Sequence, residues 1–165
     1  MRVLAGFFVL SLLLAVPFQI SGQEMTEEQV AKIEAEVMSW TDQWIESSRG
    51  QDAEAVATLL DPEEARYVVN STFHSGLDDC RDALETLYQG WNTWAGEWRG
   101  RSVEVLGPEV AFLIGEVSGP LTLVDGTEGV NQVRLSFLLR KRQQGWKAVY
   151  VHGSGTFTPT PVEEG

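Results

Sequence analysis

Apolar residues recur with two different periods along this chain, and the change of period divides it. From Thr26 to Ser48 the residues Val30, Ile33, Val37, Trp40, Trp44 and Ile45 fall three or four positions apart, which predicts an amphipathic helix. Thr26, with Glu27 and Glu28 behind it, suits its start because the helix dipole favours acids in the first turn, and Gly50 ends it. Asp52 is placed to cap a short second helix through Ala53, Val56, Ala57, Leu59 and Leu60, which Asp61-Pro62 breaks. Ala65 to Asn70, rich in Tyr67, Val68 and Val69, predicts a strand. After Gly76 the stripe Leu77, Cys80, Leu84, Leu87 or Tyr88, Trp91 and Trp94 predicts a third helix from Leu77 to about Ala95, with Asp78 and Asp79 in its first turn.

Beyond Gly96 the period becomes two and β-branched and aromatic residues dominate. Turn signals at Gly107-Pro108, Asp125-Gly126 and Gln143-Gln144-Gly145 predict a meander of four strands at 99–106, 109–123, 128–142 and 145–157. The second of these carries Gly115, Gly119 and Pro120, which predict a bulge or bend there and so a strongly curved sheet. The order helix, helix, strand, helix, four strands describes an α+β layer fold, three helices against one face of a mostly antiparallel sheet. No repeat, linker or low-complexity insert divides the chain, and 158–165 reads as a disordered tail.

The first residues change the picture of where the protein works. Arg2 followed by an apolar run to Phe18, interrupted by Pro17, predicts a signal peptide over 1–22 with cleavage near Gly22, and hence a secreted or periplasmic protein. The polar residues Gln19, Ser21, Gln23 and Glu24 arrive too soon for the ~20 apolar residues of a membrane span. The whole chain carries a net charge of −12, and loss of the leader removes Arg2 and no acid. So acidic a protein repels phosphate backbones and anionic lipid surfaces, which argues against nucleic-acid and membrane partners. Cys80 is the one cysteine, so no internal disulfide exists; on the apolar stripe of its helix it reads as a small core hydrophobe. Asn70-Ser71-Thr72 is formally an N-glycosylation triplet.

Particular residues in this order resemble the SnoaL-like branch of the nuclear transport factor 2-like superfamily, over roughly Val30 to Phe157. They are Trp40 to Trp44 with Asp52 and Leu59 to Asp61 in the helical hairpin, and Phe73, His74, Ser75 and Gly76 before the third helix. The third group is Leu135 to Ser154, whose run FLLRKRQQGWKAVYVHGS is similar to the family's closing hairpin. The resemblance implies a cystatin-like cone: the sheet curls round the helices to leave an apolar cavity, and two copies pair through the sheet's outer face. For activity it implies little, because the superfamily holds isomerases, dehydratases, cyclases, hydrolases, binding proteins and assembly domains.

The chain supplies many large rings for such a cavity: Trp40, Trp44, Tyr67, Phe73, Trp91, Trp94 and Tyr150, which either line a pocket or fill the core. Simple alternation along the last strand puts Trp146, Ala148, Tyr150, His152 and Ser154 on one face. An inward His152 beside Tyr150 and Ser154 is then a candidate acid or base, with Tyr150 a donor to a developing oxyanion; the alternative is a structural histidine. His74 is a second candidate near the cavity mouth. Arg134 faces either the pocket, where it would hold an anion, or the dimer face. Glu116 is the acid most clearly placed on a strand. Two histidines, one cysteine and scattered acids lack zinc-type spacing, and there is no phosphate loop or nucleophile elbow, so neither metal nor cofactor is expected. Three functional readings follow: a homodimeric module holding a small, largely apolar molecule; a cofactor-independent isomerase-, cyclase- or hydrolase-type enzyme using His152 or His74; and an assembly domain without a ligand.

Overall fold

The computed structural model of the chain describes residues 25–69 and 71–161. The leader expected over 1–22, its cleavage point, Asn70 of the glycosylation triplet and the last four residues of the tail lie outside the described residues.

Helix α1 (Glu27–Arg49) begins where the sequence placed it, at a capping box. The Thr26 hydroxyl accepts the Gln29 N–H at 3.2 Å, while the Thr26 N–H donates to Gln29 Oε1 at 2.8 Å. It buries Ile33, Val37, Trp40, Trp44 and Ile45, the predicted apolar stripe. Helix α2 (Ala53–Ala57) is capped by Asp52, whose Oδ1 accepts the Ala55 N–H at 2.8 Å. A hairpin follows, β1 (Arg66–Val69) and β2 (Thr72–Ser75), then α3 (Leu77–Gln89). The second strand of that hairpin was not expected from the sequence; its one apolar residue, Phe73, is 58% exposed, so burial writes no alternation into it.

The third helix ends at Gly90, five residues before the position that periodicity predicts. Trp91–Trp94 form strand β3 instead, and the reason the helical period extended through them is physical. Trp91 lies opposite Leu123 and Trp94 opposite Leu121, with a register shift between. That bulge brings two residues three apart onto the same face of a strand, a spacing indistinguishable from a helix. Their rings pack with centroids 5.2 Å apart.

Strands β4 (Glu97–Gly107), β5 (Val110–Leu123), β6 (Glu128–Arg142) and β7 (Gly145–Pro159) form the meander. The sheet order is β2-β1-β7-β6-β5-β3, with β4 also on β5. The β1–β7 pairing is parallel and the others antiparallel, so the sheet is mixed. The fold is α+β, with a curled mixed sheet. β7 continues through Pro159, where Thr158 and Pro159 pair with Val130 and Gly129, so the disorder expected from Thr158 does not begin there.

Strand β5 contains no bulge against β6: the register runs unbroken from Val110 opposite Arg140 to Thr122 opposite Glu128. Its glycine at 119 serves another purpose. There the free edge of β5 changes partner from β4 to β3, and the Ala95–Gly96 corner crosses so closely that a Cβ on Gly119 would lie 2.2 Å from the Ala95 carbonyl oxygen.

The core sits between α1, α3 and the inner face of the sheet. Phe137 is fully buried and meets Trp40 and Trp44 edge-on at 5.2 and 5.0 Å. The loop after α2 is bolted to the end of β6 by Asp61, which has no exposed surface. Its Oδ1 accepts the Glu63 and Glu64 N–H groups at 3.0 Å, and its Oδ2 accepts Arg142 Nε at 2.6 Å. Burial of the Asp61 carboxyl raises its pKa, but Arg142 and the two N–H donors outweigh that and hold it below the usual carboxylate range.

Strand β7 carries the feature that decides the site. Leu139 pairs with Ala148 and Leu138 with Tyr150, so Val149 is a bulge. Beyond it the alternation changes phase: Val151 and Gly153 are buried on the inner face, while Tyr150, His152 and Ser154 pass to the outer face.

Candidate functional site: an apolar cavity within the curled sheet

The curled sheet and helices α1 and α3 enclose a cavity of about 250 Å³. Trp44 comes from α1, Tyr67 from β1, Tyr88 from α3, Trp91 and Trp94 from β3 and Phe157 from β7, with leucine and valine side chains between them. Partly exposed residues, among them Val69, Leu87, Trp91, Leu123 and Phe157, form the rim; Trp44, Tyr67, Trp94 and Val117 are buried beneath it. The hollow exists because β7 places Gly153 and Gly155 at successive inward positions between Val151 and Phe157. With no side chains there, the two layers cannot close on one another.

Among the described residues the polar side chains Ser48, Tyr67, Tyr88 and Asn131 line this space, as does Trp94, whose indole N–H is buried without a partner. The Tyr88 hydroxyl donates to Ser48 Oγ at 3.2 Å. Burial pushes the Tyr88 hydroxyl up to about 12, with the Ser48 bond opposing that rise and Asp52 adding to it. Burial also raises the Tyr67 pKa, and both phenols are protonated and neutral at physiological pH. Asn131 is 8% exposed. Among the described residues no Asp, Glu, His, Lys or Arg lines the cavity.

Of the residues singled out from sequence, Trp44, Tyr67, Trp91 and Trp94 converge on the cavity. Trp40 stands behind Trp44, with ring centroids 5.6 Å apart, and its other side borders a surface depression with Trp146 and Lys141. Phe73 lies on the edge strand and points to solvent. The expectation that Tyr150, His152 and Ser154 share the cavity wall is corrected by the Val149 bulge, which turns all three outward. Arg134 lies on that outer face too, with its side chain 81% exposed and its Nε 3.6 Å from Glu116 Oε2.

His74 pairs across the hairpin with Tyr67, their rings 6.4 Å apart, but does not line the cavity. Its Nδ1 lies 3.2 Å from Asp79 Oδ1, and Asp79 Oδ2 accepts the Ser75 N–H at 2.8 Å. Those two bonds hold the Asp79 carboxyl below its ordinary pKa and fasten β2 to the first turn of α3. Cys80 is fully buried, and burial with the neighbouring Asp79 charge pushes its thiol up to about 11.

Sequence reasoning missed Ser48, Asn131, Phe157 and the two glycines. Asn131 had a readable signal: it is the one polar residue in the inward row Asn131, Val133, Leu135, Phe137, Leu139 of β6.

Residues 37–158 match the model of the SnoaL-like domain. The chain belongs to the SnoaL-like family. Among curated proteins, none matches it significantly. Solved structures share the fold of this SnoaL-like domain at low identity. Hexachlorocyclohexane dehydrochlorinase LinA-type3 from Novosphingobium barchaimii LL02 superposes with a TM-score of 0.72 at 14% identity, covering 82% of this chain and 94% of that one. A nuclear transport factor 2-like superfamily protein from Salmonella enterica serovar Typhimurium LT2 gives 0.71 at 18% identity, covering 82% and 99%. A ketosteroid isomerase-like protein from Erwinia carotovora atroseptica SCRI1043 gives 0.69 at 16%, covering 79% and 98%.

Proposed function

We propose that this SnoaL-like domain is an exported binding module that holds a small, largely apolar molecule in its cavity and leaves it chemically unchanged. One observation carries the reading: the hollow is walled by aromatic and aliphatic side chains, and among the described residues its only titratable groups are two tyrosines that stay protonated. General acid–base chemistry needs a group that changes protonation near working pH, within hydrogen-bond reach of the reacting atom. Both histidines lie outside the cavity wall. A void of ~150 Å³ lined by apolar side chains takes up benzene, and drug-sized ligands need ~300 Å³ or more, so about 250 Å³ suits one or two rings.

The enzyme reading has one observation in its favour, the His74–Asp79 pair, in which a carboxylate orients an imidazole two strand positions from the rim residue Val69. The dehydrochlorinase named above has the same fold and is an enzyme by name. We further propose that the domain pairs with a second copy through the outer sheet face, where Ile114 is 52% exposed among Phe112, Leu138 and Tyr150.

Tryptophans 44, 91 and 94 report occupancy directly. Naphthol titrated into the purified protein quenches or shifts their emission with a saturable curve, and the molecule is recovered unaltered by chromatography. A saturating signal accompanied by a new product supports the enzyme reading; no saturable signal with naphthol or any neutral ring compound rejects the binding module.

A further inference from the structure

Asn131 is out of place for a core position. It occupies an inward site on β6 in line with Val133, Leu135, Phe137 and Leu139, and it is more than nine-tenths buried. It lines the cavity, and its amide atoms are not among the buried side-chain atoms left without a partner, which among the described residues are the indole nitrogens of Trp40, Trp94 and Trp98. The amide thus opens onto the hollow, close to the unpartnered Trp94 indole on the same wall. Polar groups at such a position are satisfied by what fills the space, water or a ligand.

The neighbours say what kind of ligand. Asn131 stands opposite Gly119 on β5 and Phe157 on β7. Two residues back along β6 is Gly129, opposite Leu121, and Leu121 is also the partner of Trp94 on β3. A flat ring laid against Trp94 and Phe157 thus has a carboxamide at its edge. That amide offers two donors and one acceptor. A carbonyl oxygen accepts from it; a hydroxyl both accepts from it and donates to it.

Charge is excluded by the same wall. Among the described residues no cationic or anionic side chain lines the cavity, so a carboxylate or an ammonium ion would lose its water without gaining a counter-charge. The overall charge of −12 adds a long-range penalty for anions.

We infer that Asn131 is the specificity-determining residue of the cavity, and that the ligand it selects is an uncharged one- or two-ring ketone or phenol whose oxygen bonds to its carboxamide. This rests on the reading that the cavity binds a small molecule, and the experiment separates the two. Naphthol, naphthalene and naphthoate are titrated against the wild-type protein and Asn131→Leu, with tryptophan fluorescence as readout and circular dichroism as the check on folding.

The wild type binds naphthol at least ten-fold more tightly than naphthalene and does not bind naphthoate. Asn131→Leu loses about ten-fold in naphthol affinity and keeps or gains affinity for naphthalene, since one hydrogen bond of about 1.4 kcal/mol corresponds to a factor of ten. If none of the probes binds the wild type, the cavity reading falls. If naphthol and naphthalene bind the wild type equally well, the cavity reading stands and the role of Asn131 is refuted, whether or not the variant folds. Tight naphthoate binding refutes the claim that the ligand is neutral.

Discussion

Replacing Gly153 by alanine tests whether the hollow is real. Gly153 lies on the inner face of β7, paired with Leu135 on β6 and Val69 on β1. A Cβ built there meets one atom within 4 Å, Leu135 Cδ2 at 3.3 Å, the far end of a flexible side chain. Its backbone is not in the left-handed region, so alanine fits without strain. Removing the glycine from the unfolded chain stabilises by about 0.4–1 kcal/mol, and burying one methyl adds about 0.8 kcal/mol. Displacing Leu135 by a few tenths of an ångström takes back part of this. The net expectation is about 1 kcal/mol of added stability, a rise of about 4 °C in Tm for a domain of this size. Naphthol affinity falls at the same time, because the methyl occupies ligand space. Gly155, two residues on, is the control: its Cβ would lie 2.7 Å from the Gln132 carbonyl oxygen, so Gly155→Ala costs about 2 kcal/mol. Thermal unfolding by circular dichroism reads both variants. Destabilisation of Gly153→Ala by 1 kcal/mol or more would mean that the space is already filled, and the case for a cavity would fail.

Further outcomes follow from the geometry. Asp61→Ala costs about 3 kcal/mol in urea unfolding, because it strips a buried carboxylate from Arg142 and from two N–H groups. Glu36 is likewise held below its usual pKa by bonds from Lys141 and Trp146, against the opposing effect of burial. Both carboxylates bind protons more weakly folded than unfolded, so stability is full well above pH ~4 and declines as pH falls through and below that range; a stability curve flat down to pH ~2 would contradict the assignment. Cys80, buried with its thiol near 11, stays unreactive toward a thiol reagent at pH 8 until the protein is unfolded in denaturant, and rapid native labelling would place it wrongly. On the outer face, His152→Ala leaves naphthol affinity within about two-fold, whereas Ile114→Glu converts the proposed dimer into a monomer in light scattering. A large effect of His152→Ala on binding would show that β7 is phased as simple alternation predicts.

What the sequence disclosed and what it hid divide along a physical line. Burial on one face writes a period into the residues, so α1, with Ile33, Val37, Trp40 and Trp44 inward, and the long strands β5 and β6 were legible with boundaries close to those observed. Elements without a buried face, such as β2 with its exposed Phe73, wrote nothing. Bulges did worse than silence, because they insert one residue and keep the chemistry while shifting its phase. At Trp91 and Trp94 the shift mimicked a helix, and at Val149 it sent a plausible catalytic trio to the wrong side. Four of the seven large rings singled out from sequence line the hollow, because large aromatic residues go inward in almost any arrangement. Asn131 and the pair Gly153 and Gly155 carry no reactive group and so no chemical signature in the sequence, yet the cavity is opened by those two missing side chains and edged by the Asn131 amide with Ser48, Tyr67 and Tyr88.

The surplus residue at Val149 has a consequence for how such domains diversify. A β7 shorter by that one position would rotate its outer half through one pleat, carrying His152 and Ser154 into the hollow and the two glycines out of it. The cavity would then acquire an imidazole facing its contents, with no other amino acid exchanged. In this scaffold one codon thus separates a cavity wall without an imidazole from a wall with one, and the difference leaves no trace in a substitution count.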